Sequence, residues 1–242
     1  MKAIILSAGQ GGRLLPLTET LPKCLLSLGD KTIIAHQITA LSQVGVDDIT
    51  VVTGFAAGSV EQALNDLSSN VGPKTVFNPF FNVADNLASC WMARGHMNED
   101  FILLNGDTVF EPAVCETLLN APPAEITLAI DHKPSYDSDD MKVRLFGSKL
   151  VEVGKTLEPE NVDGESIGMM RFLGPGPERF VTTLDQIMRT PNSLSWWYLK
   201  AIGFLAERDV VETQSIEGFR WGEVDYLQDL ENVRKMFGAT SD

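Results

Sequence analysis

The chain begins with an apolar run, Ala3-Ile4-Ile5-Leu6, that empties into a loop carrying three glycines within four positions, Gly9, Gly11 and Gly12. A strand that delivers the backbone into such a loop places flexible chain at the strand's carboxyl end, where open α/β sheets collect ligands. Glycines free the backbone to take φ > 0 and to approach phosphate oxygens closely. Arg13 and Lys23 follow, the latter in Leu21-Pro22-Lys23, and supply charge that bare amides cannot. Two commoner phosphate cradles do not fit. The dinucleotide fingerprint wants a glycine where the chain has Leu14, and no Gly-Lys-Ser/Thr closes a P-loop.

Downstream, apolar runs alternate with helical spacing. Strands are expected at residues 3–6, 49–53, 75–77 and 101–104, with helices at 33–44, 60–67, 86–96 and 112–119 between and after them. That alternation predicts an α/β fold, with a Rossmann-like mixed, mostly parallel sheet and helices on both faces. After about residue 124 the rhythm turns strand-rich, at 126–131, 141–146, 150–153 and 167–172, before helices at about 177–188, 193–205 and 225–237. The expectation is one domain over 1–242. Residues 1–123 form its alternating α/β half, and 124–242 carry a small strand-rich lobe.

The formal net charge of −14 disfavours nucleic-acid and anionic membrane partners, because a polyanion is repelled at long range. No apolar run approaches the roughly 20 residues of a membrane helix, and no secretory leader is recognisable, which points to a cytoplasmic protein. Cys24, Cys90 and Cys115 show neither paired nor metal-site spacing and are expected as reduced core thiols. His36, His96 and His132 also lack ligand spacing and receive no role. A polyphosphate bound by so acidic a chain calls for a divalent cation on carboxylates. Asp107 lies just past a strand end, in Asn105-Gly106-Asp107, although that pattern also suits a turn or a helix cap.

Leu6-Ser7-Ala8-Gly9-Gln10-Gly11-Gly12-Arg13-Leu14-Leu15-Pro16-Leu17-Thr18 together with Leu21-Pro22-Lys23-Cys24-Leu25-Leu26 resembles the signature of nucleotidyltransferases that make diphospho-nucleosides of sugars or alcohols. The resemblance implies that Leu6, Ala8, Gly9, Gly11 and Gly12 wrap a nucleoside triphosphate. It further implies that Arg13 contacts the departing pyrophosphate and Lys23 the α-phosphate, and that Asp107 and Asp225 hold Mg2+. Asp225 also suits the N-cap of the last helix. Glu223 lies two residues away, on the same side of an extended segment, and is the weaker ligand candidate, able instead to face a cationic substrate.

Three central segments, beginning at Asp140, Gly154 and Gly164, resemble phosphocholine cytidylyltransferases and those of phosphonate pathways. By that resemblance Lys142 or Lys155 holds the acceptor's phosphate or phosphonate, either lysine also being a candidate for a solvated surface residue. Asn86 and Ser89 read cytosine, either Asp85 or Asn86 also being able to start a helix. A cationic acceptor also predicts an aromatic and acidic pocket, with Trp197, Tyr198, Asp131, Glu165 and Glu223 as candidates. The implied substrates are CTP and a small phosphorylated amino alcohol or aminoalkyl phosphonate, and the implied products include pyrophosphate. The implied catalytic set is Arg13, Lys23, Asp107 and Lys155; the resemblance makes residues 1–123 the nucleotide-binding half and 124–242 the acceptor-binding half with the second metal ligand, and the oligomeric state stays open. A sugar 1-phosphate transferase using UTP or dTTP is the alternative within the class, and a noncatalytic nucleotide-binding regulator the alternative outside it. A dinucleotide dehydrogenase is disfavoured by Leu14.

Overall fold

A computed structural model describes residues 1–67 and 72–238. In chain order the first half runs β1 (Lys2–Leu6), α1 (Ile33–Gln43), β2 (Asp48–Thr53), α2 (Ala57–Leu67), β3 (Lys74–Phe77), α3 (Asn86–Met92), β4 (Phe101–Asn105), β5 (Thr108–Phe110) and α4 (Pro112–Asn120). The second half runs β6 (Ile126–Asp131), β7 (Lys142–Phe146), β8 (Lys149–Gly154), β9 (Gly164–Phe172), α5 (Gly176–Ile187), α6 (Leu199–Ala206), β10 (Val211–Ser215), β11 (Trp221–Glu223) and α7 (Leu227–Phe237).

Nine strands share one sheet in the order β3-β2-β1-β4-β9-β6-β10-β8-β7. The expected parallel arrangement holds across β3, β2, β1 and β4. Beyond β4 the sheet is mixed, because β9 runs antiparallel to both β4 and β6, and β8 antiparallel to β10 and β7. The strand-rich second half is therefore continuous with the main sheet instead of standing apart as a small lobe. β9, paired with β4 on one side and β6 on the other, makes the join and satisfies backbone groups on both edges.

Side chains alternate across this sheet with the period of two that strands impose. Ile4, Leu6, Leu103, Leu128 and Met170 face one layer, built by α3, α5 and α6 through Leu87, Phe180 and Ile202. Ala3, Ile5, Ile102, Leu104 and Met169 face the other, built by α1, α2 and α4 through Ile34, Val60 and Val114. A third cluster joins Leu230 and Val233 of α7 to Leu14, Leu26 and Val109. It clamps the carboxyl-terminal helix against the glycine-rich loop. All three cysteines are free and buried, as expected. Among the described residues no helix is long and apolar enough to cross a membrane.

Three local expectations change. The helix foreseen over 193–205 is a 3-10 turn (Ser193–Ser195), an extended Trp196 and then α6. Its first part instead pairs with the start of α3, with Asp85 N donating to Leu194 O (2.7 Å) and Leu87 N to Trp196 O (3.2 Å). The helix over 86–96 passes into a 3-10 turn after Met92. The last helix starts at Leu227, and Asp229, not Asp225, receives the entering amides of Asp225 (3.2 Å) and Tyr226 (2.8 Å). This leaves the Asp225 carboxylate free for other partners.

Candidate active site

The loop after β1 is set by Gly11, whose φ of 82° is left-handed and whose Cα lies so near Lys23 that an added Cβ would stand 3.0 Å from the lysine Cβ. Glycine is required twice over, for conformation and for approach. Thr18 Oγ1 donates to Gly11 O (2.7 Å) and Gln10 Nε2 to Thr18 O (3.0 Å), which closes the loop on itself. Beside it, Gly106 N donates to Leu6 O (2.9 Å), and a Cβ at Gly106 would collide with Ser7 Oγ. The segment leading to Asp107 therefore lies directly against the end of β1.

Two short strands bring in the third component. β11 pairs antiparallel with β5, placing Glu223 opposite Thr108, and Val224 N donates to Asp107 O (3.2 Å). Residues about 115 apart in sequence thus become neighbours. The Lys23 ammonium sits between the two carboxylates, 2.7 Å from Asp107 Oδ2 and 2.8 Å from Asp225 Oδ1. Burial alone would lower the lysine's pKa, but the charges and hydrogen bonds of Asp107 and Asp225 outweigh it and hold the ammonium well above its ordinary range. Arg13 completes the cluster, with one guanidinium nitrogen 2.8 Å from Asp225 Oδ2 and the other 3.0 Å from Asp139 Oδ2. Burial opposes the ionised form of Asp225, yet Lys23 and Arg13 together keep its pKa below the usual carboxylate range.

The cleft continues past Asn86 and Asp107 to Lys155, Trp197 and Tyr198. Lys155 Nζ lies 3.5 Å from Asp139 Oδ1 and 4.8 Å from the centre of the Trp197 ring. Asp139 therefore joins Arg13, Lys155 and the Tyr226 hydroxyl, which donates to it at 2.7 Å. An acidic recess opens alongside, lined by Asp139, Asp140, Glu165, Glu223 and Asp229 with Lys133 as its lysine. Lys133 Nζ bridges Asp140 (2.7 Å) and Glu165 (3.0 Å). Burial raises the Glu165 pKa to about 7 despite that lysine. Burial, with Asp107 and Asp225 nearby, also drives the Glu223 carboxyl well above its ordinary range.

Of the residues expected at the site, Leu6, Gly9, Gly11, Gly12, Arg13, Lys23, Asn86, Asp107 and Asp225 line the first part of the cleft. Lys155, Trp197, Tyr198, Glu223 and Glu165 line the parts beyond it. Four others lie elsewhere. Ala8 is buried against Gly54, with its carbonyl accepting from Phe55 N (2.9 Å). Ser89 is buried, its Oγ accepting from Asn78 Nδ2 (2.9 Å), so it braces the turn at residues 78–80. Asp131 accepts from Trp221 Nε1 (2.6 Å) and His132 N (2.8 Å), which occupies both carboxylate oxygens in holding β11 and the chain after β6. Lys142 is buried with its ammonium on the carbonyls of Asp137 and Lys155. Sequence reasoning passed over Asp139, Tyr226 and Lys133. The acidic run Asp137-Ser138-Asp139-Asp140 was the available signal for the first, in a chain whose expected substrates are anionic.

Asp107 and Asp225 oxygens converge within 2.8 Å of one cationic centre, and Asp107 Oδ1, Asn105 Oδ1 and Tyr198 OH are buried without a hydrogen-bond partner. A hard divalent cation, completed by substrate oxygens and water, suits such a donor set. Among the described residues no cluster of three or more His, Cys, Asp or Glu side chains forms a metal cage on its own.

A family model for nucleotidyl transferases matches residues 2–139. The CTP:phosphoglutamine cytidylyltransferase of Campylobacter jejuni is 25% identical over 256 residues, covering 96% of this chain and 98% of that protein. The choline-phosphate cytidylyltransferase of Streptococcus pneumoniae is 32% identical over 241 residues, covering 98% of both. The CMP-5'-(3-aminopropyl)phosphonate synthase of Streptomyces rubellomurinus is 35% identical over 236 residues, covering 93% of this chain but 37% of that protein. The solved CTP:phosphocholine cytidylyltransferase of Streptococcus pneumoniae superposes with a TM-score of 0.79 at 20% identity, over 97% of this chain and 98% of that one. It shares the α/β fold with its mixed sheet.

Proposed function

Since the chain belongs to the nucleotidyl transferase family, we propose that it transfers a cytidylyl group from CTP to a small phosphorylated amino alcohol or aminoalkyl phosphonate, releasing pyrophosphate. The observation that carries this reading is the convergence of Arg13, Lys23 and Lys155 on one cleft, each held by a carboxylate at 2.7 to 3.5 Å. Nucleotidyl transfer needs positioning and neutralisation of oxygen charge more than a covalent nucleophile. In this scheme an acceptor oxygen attacks the α-phosphorus in line, the bond to the β-phosphate oxygen breaks, and pyrophosphate leaves with the electron pair. Lys23 neutralises the α-phosphate, Arg13 the leaving pyrophosphate and Lys155 the acceptor's phosphorus oxygens. Each cation exchanges its carboxylate partner for a phosphate oxygen as substrates bind.

Asp107 and Asp225, released from Lys23 by that exchange, are the residues that would hold Mg2+, which supplies Lewis-acid charge to the triphosphate when bound. The acidic recess next to Lys155 favours an acceptor with an ammonium head, since its carboxylates outnumber its one lysine. Relatives that are cytidylyltransferases of phosphoglutamine and of choline phosphate, and one that is a CMP-5'-(3-aminopropyl)phosphonate synthase, support the same choice. We expect Asn86, which lines both parts of the cleft, to face the nucleotide.

A pyrophosphate-release panel tests this, crossing CTP, UTP, dTTP and GTP with phosphocholine, 2-aminoethylphosphonate and glucose 1-phosphate. Release with CTP and an amino acceptor is expected. Turnover of the sugar phosphate with UTP or dTTP, and none with CTP and either amino acceptor, would overturn the assignment.

A further inference from the structure

Lys142 carries a buried ammonium for which the phosphate-holding role leaves no room. Only 5% of the residue is exposed, and its Nζ donates to two backbone carbonyls, that of Asp137 and that of Lys155 (2.9 Å). A buried ammonium is costly unless hydrogen-bonded, so both contacts are held firmly. The two carbonyls belong to separate pieces of chain. One opens the turn that presents Asp139, and the other is the backbone of Lys155 itself, one residue past the end of β8. Lys142 is also where β7 meets both neighbours, standing opposite Gly154 on β8 and Glu165 on β9.

The same two pieces meet again at the cleft through their side chains, Lys155 Nζ lying 3.5 Å from Asp139 Oδ1. Asp139 in turn reaches Arg13 (3.0 Å) and the Tyr226 hydroxyl (2.7 Å). The turn is further fastened by Asp137 N donating to Asp140 Oδ2 (2.6 Å) and by Asp139 N donating to Asp137 Oδ1 (2.7 Å), so a pull on Asp137 moves the whole unit. One ammonium beneath the surface thus sets the spacing between the lysine and the carboxylate above it.

We propose that Lys142 is a positioning residue that fixes where Lys155 stands in the acceptor part of the cleft, by pinning its backbone to the turn that carries Asp139. This rests on the reading of Lys155 as the acceptor's phosphate or phosphonate partner. Lys142 touches no substrate in this scheme; its influence runs chiefly through Lys155, because Arg13 keeps Asp225 at 2.8 Å even if the turn with Asp139 shifts. A displacement of about 1 Å in a group that orients a reactant lowers rate by about 10²-fold.

The test is a double-variant cycle on the full chain, with CTP and either phosphocholine or 2-aminoethylphosphonate, whichever the unaltered chain turns over faster. Lys142→Met removes the donors and keeps the length. It is expected to lower kcat/KM for the acceptor by about 10²-fold while leaving KM for CTP within about twofold. Lys142→Arg, which restores donors to the two carbonyls, is expected to recover most of that loss. In a Lys155→Ala background Lys142→Met should change acceptor kcat/KM by less than about threefold, because linked residues are non-additive.

Equal losses for CTP and acceptor would overturn the positioning role, as would full additivity of the two substitutions or parental kinetics in Lys142→Met. If Lys142→Met does not fold, Lys142→Gln, whose shorter amide cannot hold both carbonyls, judges the proposal through the same CTP-against-acceptor split and the same cycle. An unaltered chain that turns over no acceptor with CTP would overturn the functional reading and this inference with it, whereas robust parental turnover with an indifferent Lys142→Met overturns this inference alone.

Discussion

Replacing Lys23 by Met removes the single cation that Asp107 and Asp225 share while keeping the aliphatic stem in place. The two contacts are 2.7 and 2.8 Å, and all three side chains are less than a quarter exposed. At an effective dielectric of about 20 each contact represents about 6 kcal/mol of gross attraction, most of it offset by desolvation. Removing one member of a buried pair leaves a net loss of about 3–5 kcal/mol, since the partner stays buried with its charge uncompensated. Asp225 keeps Arg13 at 2.8 Å, so Asp107 is the carboxylate left without a cation and the loss falls at the lower end, about 3 kcal/mol. For a chain of this length that corresponds to a Tm lower by about 6–12 °C. Adding Asp107→Asn to Lys23→Met should then recover most of the lost stability, because no buried charge remains unpaired. Pyrophosphate release should fall by about 10³-fold or more in both variants, as when a charge facing transferring phosphate is deleted. Thermal unfolding and turnover, run on the same preparations, separate the two effects. A Lys23→Met protein that unfolds within 1 °C of the parent (against the several degrees expected), or a double variant no more stable than the single one, would refute the electrostatic account.

Arg171 on β9 is almost wholly buried and donates to the carbonyls of Leu119, Ala121 and Pro122 and to Thr127 Oγ1 at 2.7 to 3.1 Å. Arg171→Met should lower stability by about 2–6 kcal/mol in urea unfolding, at about 1–3 kcal/mol for each of the two buried acceptors, Ala121 O and Thr127 Oγ1, left dry; a loss below about 1 kcal/mol would mean that water replaces the guanidinium. Gly11→Ala meets both a φ of 82° and the Lys23 stem at 3.0 Å, so a stability loss of about 1–2 kcal/mol is expected, against little change in Gly12→Ala, where an added Cβ meets nothing within 4 Å. Similar melting curves for the two variants would contradict that difference. The Glu165 pKa rises in the fold from 4.5 to about 7, so the fold favours its protonated form, and that contribution is lost as pH climbs between these values. Glu165→Gln should flatten the decline in stability over this window, and an unchanged pH profile would show that Lys133 fully compensates the carboxylate.

The amino-terminal half was legible because its signals are local. The apolar runs that became β1, β2 and β4, and the glycine-rich loop that follows β1, need only neighbours in sequence to be recognised. The convergence of Arg13, Lys23 and Asp107 followed from the resemblance and from two strand ends lying side by side. Short strands were less legible. β5 and β11 have three residues each, too few for a period to show, yet their pairing carries Asp225 to Asp107. The aromatic run at 196–198 has residues that suit a helix, yet Trp196 is extended and held to the start of α3 by hydrogen bonds that no local rule contains, and helix begins only after Tyr198.

The residues alone determined the chemistry at hand, cations and carboxylates around a glycine loop in an acidic chain, because composition and motif fix which charges exist. Only the tertiary structure decided which of those charges meet. Lys142 and Lys155 read alike in sequence, each a lysine near the end of a short strand. Folding turns one ammonium inward onto two carbonyls and leaves the other beside a tryptophan and a carboxylate in the cleft. The difference lies in the environment each position receives, because a lysine in the narrow junction of three strands must satisfy its charge with backbone, whereas one just beyond a strand end reaches the cleft and pairs there with a side-chain carboxylate.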